Sequence, residues 1–237
     1  MNRRSWMSWL GVSAAGSLAG LSAVGESQPN KHTCVLSLES FRVRQVDQMP
    51  RLHGYLGGAL LPFLAQIHRG PKMFLEALVS PHTPQVLFLA AFTSFDEMIE
   101  IRRKLAAHPG IQRARADLES GESQILTTTP DSLCFQGGST SRHGGVFELR
   151  SYRAPAWRDR PPANAGAAFR RAGIHPILTA STAGEHLPQF TYLVPFESLA
   201  VRQEAWSRLD ADSEWIGLEA KVTSASIYNL APYSPLS

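Results

Sequence analysis

The stretch that decides the fold is PQFTYLVPFESL, residues 188–199, because a similar stretch occurs earlier as PQVLFLAAFTSF, residues 84–95. Phe88 and Tyr192 lie 104 positions apart, and the same offset recurs without a gap over a predicted strand, a turn and a helix. Identical residues recur at this offset in Pro84/Pro188, Gln85/Gln189, Leu89/Leu193, Phe92/Phe196, Ser94/Ser198, Glu100/Glu204, Leu105/Leu209 and Ala107/Ala211. The period is that of a small domain, so the sequence predicts an internal duplication.

Each copy predicts the order strand, helix, strand, strand, helix, strand. In copy one the strands are expected at 35–43, 73–79, 85–92 and 124–129, and the second helix begins at a Ser94/Glu97 capping box. In copy two they are expected at 146–153, 175–181, 189–196 and 222–229. This order is typical of a ferredoxin-like unit, whose sheet carries helices on one face only. The two copies are therefore expected to cover each other's bare faces, as units at 33–135 and 146–233 joined by a linker at 136–145.

The first 25 residues have a different character. Arg3 and Arg4 precede an apolar stretch rich in Gly, Ala and Ser, and Ala23 and Gly25 suit a signal-peptidase site. This order resembles a twin-arginine export signal and predicts a periplasmic or secreted protein. The alternative is an uncleaved amphipathic anchor, and no stable membrane span is predicted for the mature chain.

Removal of that segment changes the charge of the protein. Of the 23 Lys and Arg residues, two leave with the signal, so 21 remain against 20 Asp and Glu. A nearly neutral mature chain gives little support for nucleic-acid binding, and no nucleic-acid partner is expected.

Copy two carries three recognisable strings, E-L-R-x-Y at 148–152, Y-L-x-x-F-E-S-L-x-x-R at 192–202 and D-x-E-W at 212–215. In these strings copy two resembles the NIPSNAP family. Copy one is fainter, with ESFRV and FTSFDEM at the corresponding places. The resemblance implies an α+β fold in which two ferredoxin-like units pack sheet to sheet as an intrachain dimeric-type α/β barrel. A single chain would then suffice for the barrel, and further oligomerisation stays open.

The strand 146–153 carries the most polar row of copy two. Alternate residues of a strand face opposite sides. If the apolar set packs against the helices, then Glu148, Arg150 and Tyr152 point into the barrel lumen. Two interpretations follow, namely a structural Glu–Arg pair capped by Tyr, or a ligand site in which the Arg orients an anionic or enolic group.

The same reasoning gives the remaining candidate residues. Tyr192 on a central strand and His175 beside the next one are candidate ligand contacts, and copy one would contribute Glu39 and Phe41. None of the eight histidines stands in a metal-binding or heme-binding pattern, so no metal and no cofactor is predicted. P-loop, dinucleotide and serine-nucleophile motifs are absent from the sequence.

The two cysteines, Cys34 and Cys134, flank copy one. Cys34 begins its first strand and Cys134 follows its last, and these strands are antiparallel neighbours in a ferredoxin-like sheet. An exported protein can oxidise such a pair, and the alternative is two unrelated buried thiols.

Two classes of function stay open at this point. The first is a binding or structural module whose barrel holds a small molecule or nothing. The second is a small cofactor-independent monooxygenase or isomerase that acts on an organic substrate in the lumen, which would require a proton-transfer group beside an open pocket. A lumen filled by side chains favours the module.

The export signal gives the first testable prediction. The Arg3→Lys, Arg4→Lys variant should stay in the cytoplasm, because the twin-arginine pathway is expected to require the arginine pair. Fractionation of cells that express each form measures this, and the wild type should be recovered from the periplasm with cleavage after about Gly25. Undiminished export of the lysine variant would show that the interpretation is wrong.

Overall fold

The computed structural model describes residues 34–115, 119–128, 145–154, 157, 161–182 and 189–235. For residues 119–123 only the backbone is described. The predicted export signal, with Arg3 and Arg4, lies outside the described residues, as does the predicted linker except Gly145. Within the described part, no helix is both long and apolar enough to cross a membrane.

The first unit follows the predicted order. Its strands are β1 (Val35–Arg42), β2 (Lys72–Val79), β3 (Gln85–Phe92) and β4 (Glu119–Thr128). Between β1 and β2 a short 3₁₀ turn (Val46–Gln48) leads into α1 (Met49–Tyr55), a π-helical turn (Leu56–Leu60) and α2 (Leu61–Ile67). The helices α3 (Phe95–Ala107) and α4 (Pro109–Arg115) connect β3 to β4. As predicted, Ser94 caps α3, since its hydroxyl accepts a hydrogen bond from the Glu97 amide.

The second unit repeats this order. Its strands are β5 (Val146–Arg153), β6 (Leu178–Thr182), β7 (Gln189–Phe196) and β8 (Lys221–Leu230). Its helices are α5 (Ala163–Ala172), α6 (Leu199–Asp210) and α7 (Ser213–Ile216). Ser198 caps α6 as Ser94 caps α3. The strand registers agree as well, because Val35 faces Phe92 across β1 and β3 just as Val146 faces Phe196 across β5 and β7.

The eight strands close into one antiparallel barrel in the order β1-β3-β2-β8-β5-β7-β6-β4. Each unit contributes a four-stranded sheet, and the two sheets join edge to edge through β2–β8 and β4–β6. The predicted α+β fold, a dimeric-type α/β barrel within one chain, is confirmed. Closure leaves no sheet edge exposed.

The faces of the strands are the reverse of the sequence-based assignment. Phe147 and Leu149 lie in the barrel interior, whereas Tyr152 packs in the cluster beneath the helices. The interior of an eight-stranded barrel is just wide enough for side chains to fill, so it takes the apolar set. The polar set can face the helices because α6 supplies partners for it, as described below.

The barrel interior has an apolar half. Leucines from several strands of both units meet there with Met73, Phe147 and Tyr228, and the buried members of this cluster touch one another across the barrel. The members are Cys34, Leu36, Leu38, Met73, Leu75, Leu87, Leu89, Ala91, Leu126, Phe147, Leu178, Ala180, Leu193 and Tyr228. This half of the lumen is a packed core that both units build together.

The start of β1 lies beside the end of β4, as the cysteine prediction requires. The Cys34 amide donates to the Thr128 hydroxyl (2.7 Å), and the Thr128 amide donates to the Cys34 carbonyl (3.0 Å). Cys34 is buried and takes part in a disulfide bond. Its predicted partner, Cys134, lies outside the described residues, so the pairing stays a prediction.

Non-reducing mass analysis of the protein tests that pairing. We expect one peptide pair joining Cys34 to Cys134 and no alkylated cysteine, because Cys34 lies beside the end of β4, the strand that Cys134 follows in the sequence. The long enclosed loop would stabilise the fold by about 4–5 kcal/mol in the chain-entropy model. Alkylation of both cysteines in the native protein would contradict the prediction.

Candidate functional site

The predicted polar residues of β5 meet α6 in one buried cluster. Glu148 is fully buried (0% exposed) and its carboxylate receives two hydrogen bonds from Arg202, Nε to Oε2 and Nη2 to Oε1, each 2.9 Å long. The indole nitrogen of Trp206 donates to the same carboxylate. Arg202 and Trp206 stand four residues apart on α6, so they project from one face of that helix toward the sheet.

Arg150 and Tyr152 complete this cluster. The Arg150 Nε lies 3.2 Å from Glu148 Oε1, and its Nη1 donates to the Tyr152 hydroxyl (3.2 Å). The guanidinium also lies 3.8 Å from the centre of the Trp206 ring, within range of a cation–π interaction. Both arginine side chains are 16% exposed, so the three charges are almost fully withdrawn from water.

The two tyrosines of the candidate set are protonated at neutral pH. Burial raises the pKa of Tyr152 to about 12, although Arg150 acts in the opposite direction. Burial also raises the pKa of Tyr192, which lies beside Tyr152 under the helices, with ring centres 5.8 Å apart. Neither phenol is therefore suited to act as a base near neutral pH.

We call the cluster of Glu148, Arg150, Arg202 and Trp206 the clasp, because it joins β5 to α6. Its arrangement is structural rather than that of a reaction centre. Both oxygens of Glu148 already accept hydrogen bonds from α6, and Arg150 adds an ion pair. A saturated carboxylate has no lone pair directed at a substrate. The geometry thus agrees with the first interpretation of E-L-R-x-Y, a structural Glu–Arg pair with a tyrosine beside it.

The other motif strings also have structural explanations. Arg171 of α5 binds Asp212 (Nε to Oδ2, 2.8 Å) and Glu214 (Nη2 to Oε2, 3.0 Å), and Asp212 caps α7. Trp215 is buried against Tyr152, with ring centres 5.3 Å apart. D-x-E-W therefore ties α5 and α7 to the aromatic cluster beneath them.

Unit one has a simpler form of the same contact. Arg102 of α3 donates to the Ser37 hydroxyl (2.9 Å) and to Glu39 (3.1 Å) on β1. Glu39 and Phe41, expected in the lumen, face the helices, and Phe41 packs against Tyr55. The cause is the same as in unit two, because Leu36 and Leu38, on the opposite face of β1, fill the lumen.

The sequence-based candidates separate into two groups. Glu148, Arg150, Tyr152 and Tyr192 come together, but on the helix side of β5 and β7 and not in the lumen. His175 stands apart, exposed in the loop before β6. Sequence reasoning missed Arg202 and Trp206 as their partners, although the four-residue spacing on a predicted helix was a usable signal.

The other half of the lumen is polar. Since β1 and β5 run parallel in the barrel, they end at the same opening. We call this opening the polar mouth; strand alternation places Ser40, Arg42, Gln85, Ser151, Arg153, Thr182, Gln189, Thr191, Lys221, Ser224 and Ser226 on its inner face. Ser151 and Thr191 share a hydrogen bond of 2.9 Å there. The sequence-based assignment of faces hid this site, because it directed Ser151 toward the helices.

Comparison with known proteins agrees with this architecture. The NIPSNAP family model matches residues 145–234, which is unit two. A proposed chlorite dismutase matches with a TM-score of 0.59 at 13% identity, covering 86% of this chain and 97% of its own. A heme-binding protein from Thermus thermophilus matches with a TM-score of 0.53 at 12% identity (85% and 94% covered). The chlorite dismutase of Candidatus Nitrospira defluvii in complex with imidazole gives 0.56 at 10% (84% and 92%).

These identities establish a shared fold and nothing finer. The chain is thus similar in fold to chlorite dismutase-like α/β barrels, and its second unit matches the NIPSNAP model. No curated protein sequence matches the chain.

The described residues do not fit a heme. The gap between sheet and helices in unit two is filled by packed aromatic rings, among them Phe169, Trp206 and Trp215. In unit one, His68 is buried but lies against Glu97 (Nδ1 to Oε1, 3.3 Å) and stacks on Phe92. Among the described residues, no three His, Cys, Asp or Glu side chains are grouped as metal ligands. No heme-dependent step is therefore assigned to this chain.

Removal of the Glu148 charge tests the clasp. The Glu148→Gln variant leaves two buried guanidinium groups without their counter-ion, so the free energy of unfolding should fall by about 3–5 kcal/mol. Urea denaturation followed by circular dichroism measures this. The matched control is Glu100→Gln, which breaks an exposed ion pair with Arg103 on α3 and should change stability little.

A second substitution shows whether the loss is due to charge. Met98 of unit one stands where unit two has Arg202, four residues after each serine cap, so methionine suits this position. The Glu148→Gln, Arg202→Met double variant should therefore lose less stability than the sum of the single variants. Equal stability of Glu148→Gln and Glu100→Gln would contradict the clasp.

Proposed function

We propose that this protein is an exported α/β-barrel module that binds a small molecule at the polar mouth and does not transform it. The observation that carries the proposal is the division of the lumen into a packed apolar half and a polar half. The packed half of the lumen leaves no room for a substrate. In the polar half, Ser40, Arg42 and Leu149 are only partly buried. Binding sites commonly combine an apolar floor with a few convergent polar groups in this way.

The chemistry of the lumen supports binding over catalysis. Among the described side chains that face the lumen there is no carboxylate and no imidazole, the usual groups for proton transfer. Tyr228 is buried in the core cluster, and burial raises the pKa of its phenol. A monooxygenase or isomerase acting in the lumen, the alternative function, would lack a base in the described part of the barrel.

The clasp under α6 supports the same view. The residues of the E-L-R-x-Y string join β5 to α6, and this structural role accounts for their presence without any catalytic role. Export is supported by the sequence of residues 1–25 alone, in which Arg3, Arg4 and the small-residue site occur in the expected order.

A defined panel of four compounds tests binding without turnover. Gluconate, hexanoate, sorbitol and hexylamine present a hydroxylated anion, an apolar anion, a neutral polyol and an apolar cation. At least one of these compounds should raise the melting temperature of the protein by about 3–6 °C when its concentration is ten times its dissociation constant. Mass spectrometry should recover that compound unchanged after prolonged incubation.

Two results would overturn the proposal. If none of the four compounds binds, the module has no small-molecule function of this kind. If a compound is converted with time, and the Ser151→Ala variant stops the conversion, the enzyme alternative is correct.

A further inference from the structure

Four residues of unit two form one row across the inner face of the polar mouth. Arg153 at the end of β5 lies opposite Gln189 on β7 and opposite Lys221 on β8. On β6 and β7 Ser181 pairs with Phe190, so the same antiparallel register continued by one residue leads to Thr182 and Gln189. Tyr152 and Ala154 both pack in the cluster beneath the helices, so Arg153 between them faces the lumen.

Two like charges face each other in this row. Arg153 and Lys221 are direct cross-strand neighbours, a relation that is destabilising for like charges. A shift in the β5–β8 register after Ser151 creates the pair, because an unshifted register would place Val222 opposite Arg153. Bulges of this kind occur at barrel rims and beside functional sites, where they redirect a side chain.

Unit one has the same strand register with a different residue type opposite its arginine. Arg42 occupies the position of Arg153 and lies opposite Gln85 in the register, as Arg153 lies opposite Gln189. On its other side, a similar register shift brings Glu119 rather than a lysine opposite Arg42. The cationic pair is therefore a feature of unit two alone, and it favours an anion at that side of the mouth.

A second row lies directly below the first and supplies hydroxyl groups. Ser151 lies opposite both Thr191 and Ser224, and Ala180 lies beyond Thr191. In unit one the corresponding positions are Ser40, Leu87 and Leu75. Thr191 and Ala180 thus stand beneath the cations of unit two where unit one has leucines.

Buried oxygen atoms at the same opening point independently to a ligand. The Thr182 hydroxyl oxygen is buried and has no hydrogen-bond partner among the described residues. On the unit-one side Gln85 is 4% exposed; its Nε2 donates to Ser80, but its Oε1 has no such partner in the described part. Buried polar atoms are normally satisfied, so these two need a donor from elsewhere.

We propose that the polar mouth binds a small polyhydroxylated organic anion, with its acidic group at Arg153, Lys221 and Gln189 and its hydroxyls at the Ser151–Thr191 row. The acidic group relieves the repulsion between the two cations. The hydroxyls supply the donors that Thr182 and Gln85 lack, while the apolar core beneath limits the length of the ligand. This assignment rests on the proposed binding function and names its ligand class.

Titration calorimetry with gluconate at low ionic strength tests the assignment. Gluconate should bind with one site per chain and more weakly as salt is added, whereas sorbitol, which lacks the charge, should give no signal. Hexanoate, which lacks the hydroxyls, should bind at least about tenfold more weakly than gluconate, as expected for lost hydrogen bonds to a buried site.

Three matched variants locate the site. The Arg153→Gln, Lys221→Gln variant should bind gluconate about tenfold to a hundredfold more weakly than the wild type, since both charge-assisted contacts are lost. Arg170→Gln removes an exposed charge on α5 and should leave affinity unchanged. The Ser151→Val, Thr191→Val variant should abolish the preference for gluconate over hexanoate, with circular dichroism confirming that each variant is folded.

The possible outcomes distinguish a wrong ligand class from a wrong binding function. Equal affinity of gluconate for wild type and the Arg153/Lys221 variant, or equal affinity of gluconate and hexanoate for wild type, overturns the assignment. If hexylamine or hexanoate binds, gluconate does not, and the Ser151→Val, Thr191→Val variant weakens that binding, then binding at the polar mouth stands and the assigned ligand class is wrong. If a compound binds but no mouth variant affects it, both the polar mouth and the ligand class are wrong. If no compound of the panel binds, both are wrong.

Discussion

The width of a closed eight-stranded barrel is the constraint on which the rest of this structure depends. Every strand has two faces, and the interior is too narrow to remain solvated along its whole length, so side chains must fill much of it. Leucines take that place in both units, and this forces the alternate residues of each strand against the helices. The charges of β5 are consequently buried on the outer face, where they persist only because α6 brings a counter-charge and an indole donor.

The two units solve this problem of buried charge in different ways on equal backbones. In unit one the strand carries the acid, Glu39, and the helix carries the arginine. In unit two the strand carries both Glu148 and Arg150, and α6 adds Arg202 and Trp206. The second arrangement buries more charge and more aromatic surface. It requires several residues at fixed spacing, which explains why the recognisable family strings lie in unit two.

Most of the fold was predictable from the sequence, because repeated local signals specify it. The offset between Phe88 and Tyr192 fixed the equivalence of β3 and β7, and the serine caps fixed the starts of α3 and α6. The direction of the side chains was not predictable in the same way. Alternation defines two sets but not which set faces the lumen, and that choice depends on the barrel radius and on partners from a distant helix. The pairing of Arg153 with Lys221 was even less predictable, because a one-residue bulge decides whether Val222 or Lys221 lies opposite Arg153.

Because the two units share a backbone arrangement but differ in side chains, the two sides of the barrel opening are not equivalent. An assembly of two identical chains would repeat every residue at the mouth, so a cationic row on one side would be matched by the same row on the other. Two linked units within one chain escape this requirement. Here one unit keeps an acid opposite its rim arginine in the register, and the other places a lysine there. A charge difference across one opening is therefore open to this single chain but not to a barrel of two identical chains. It permits a ligand with one acidic end to be held in a single orientation.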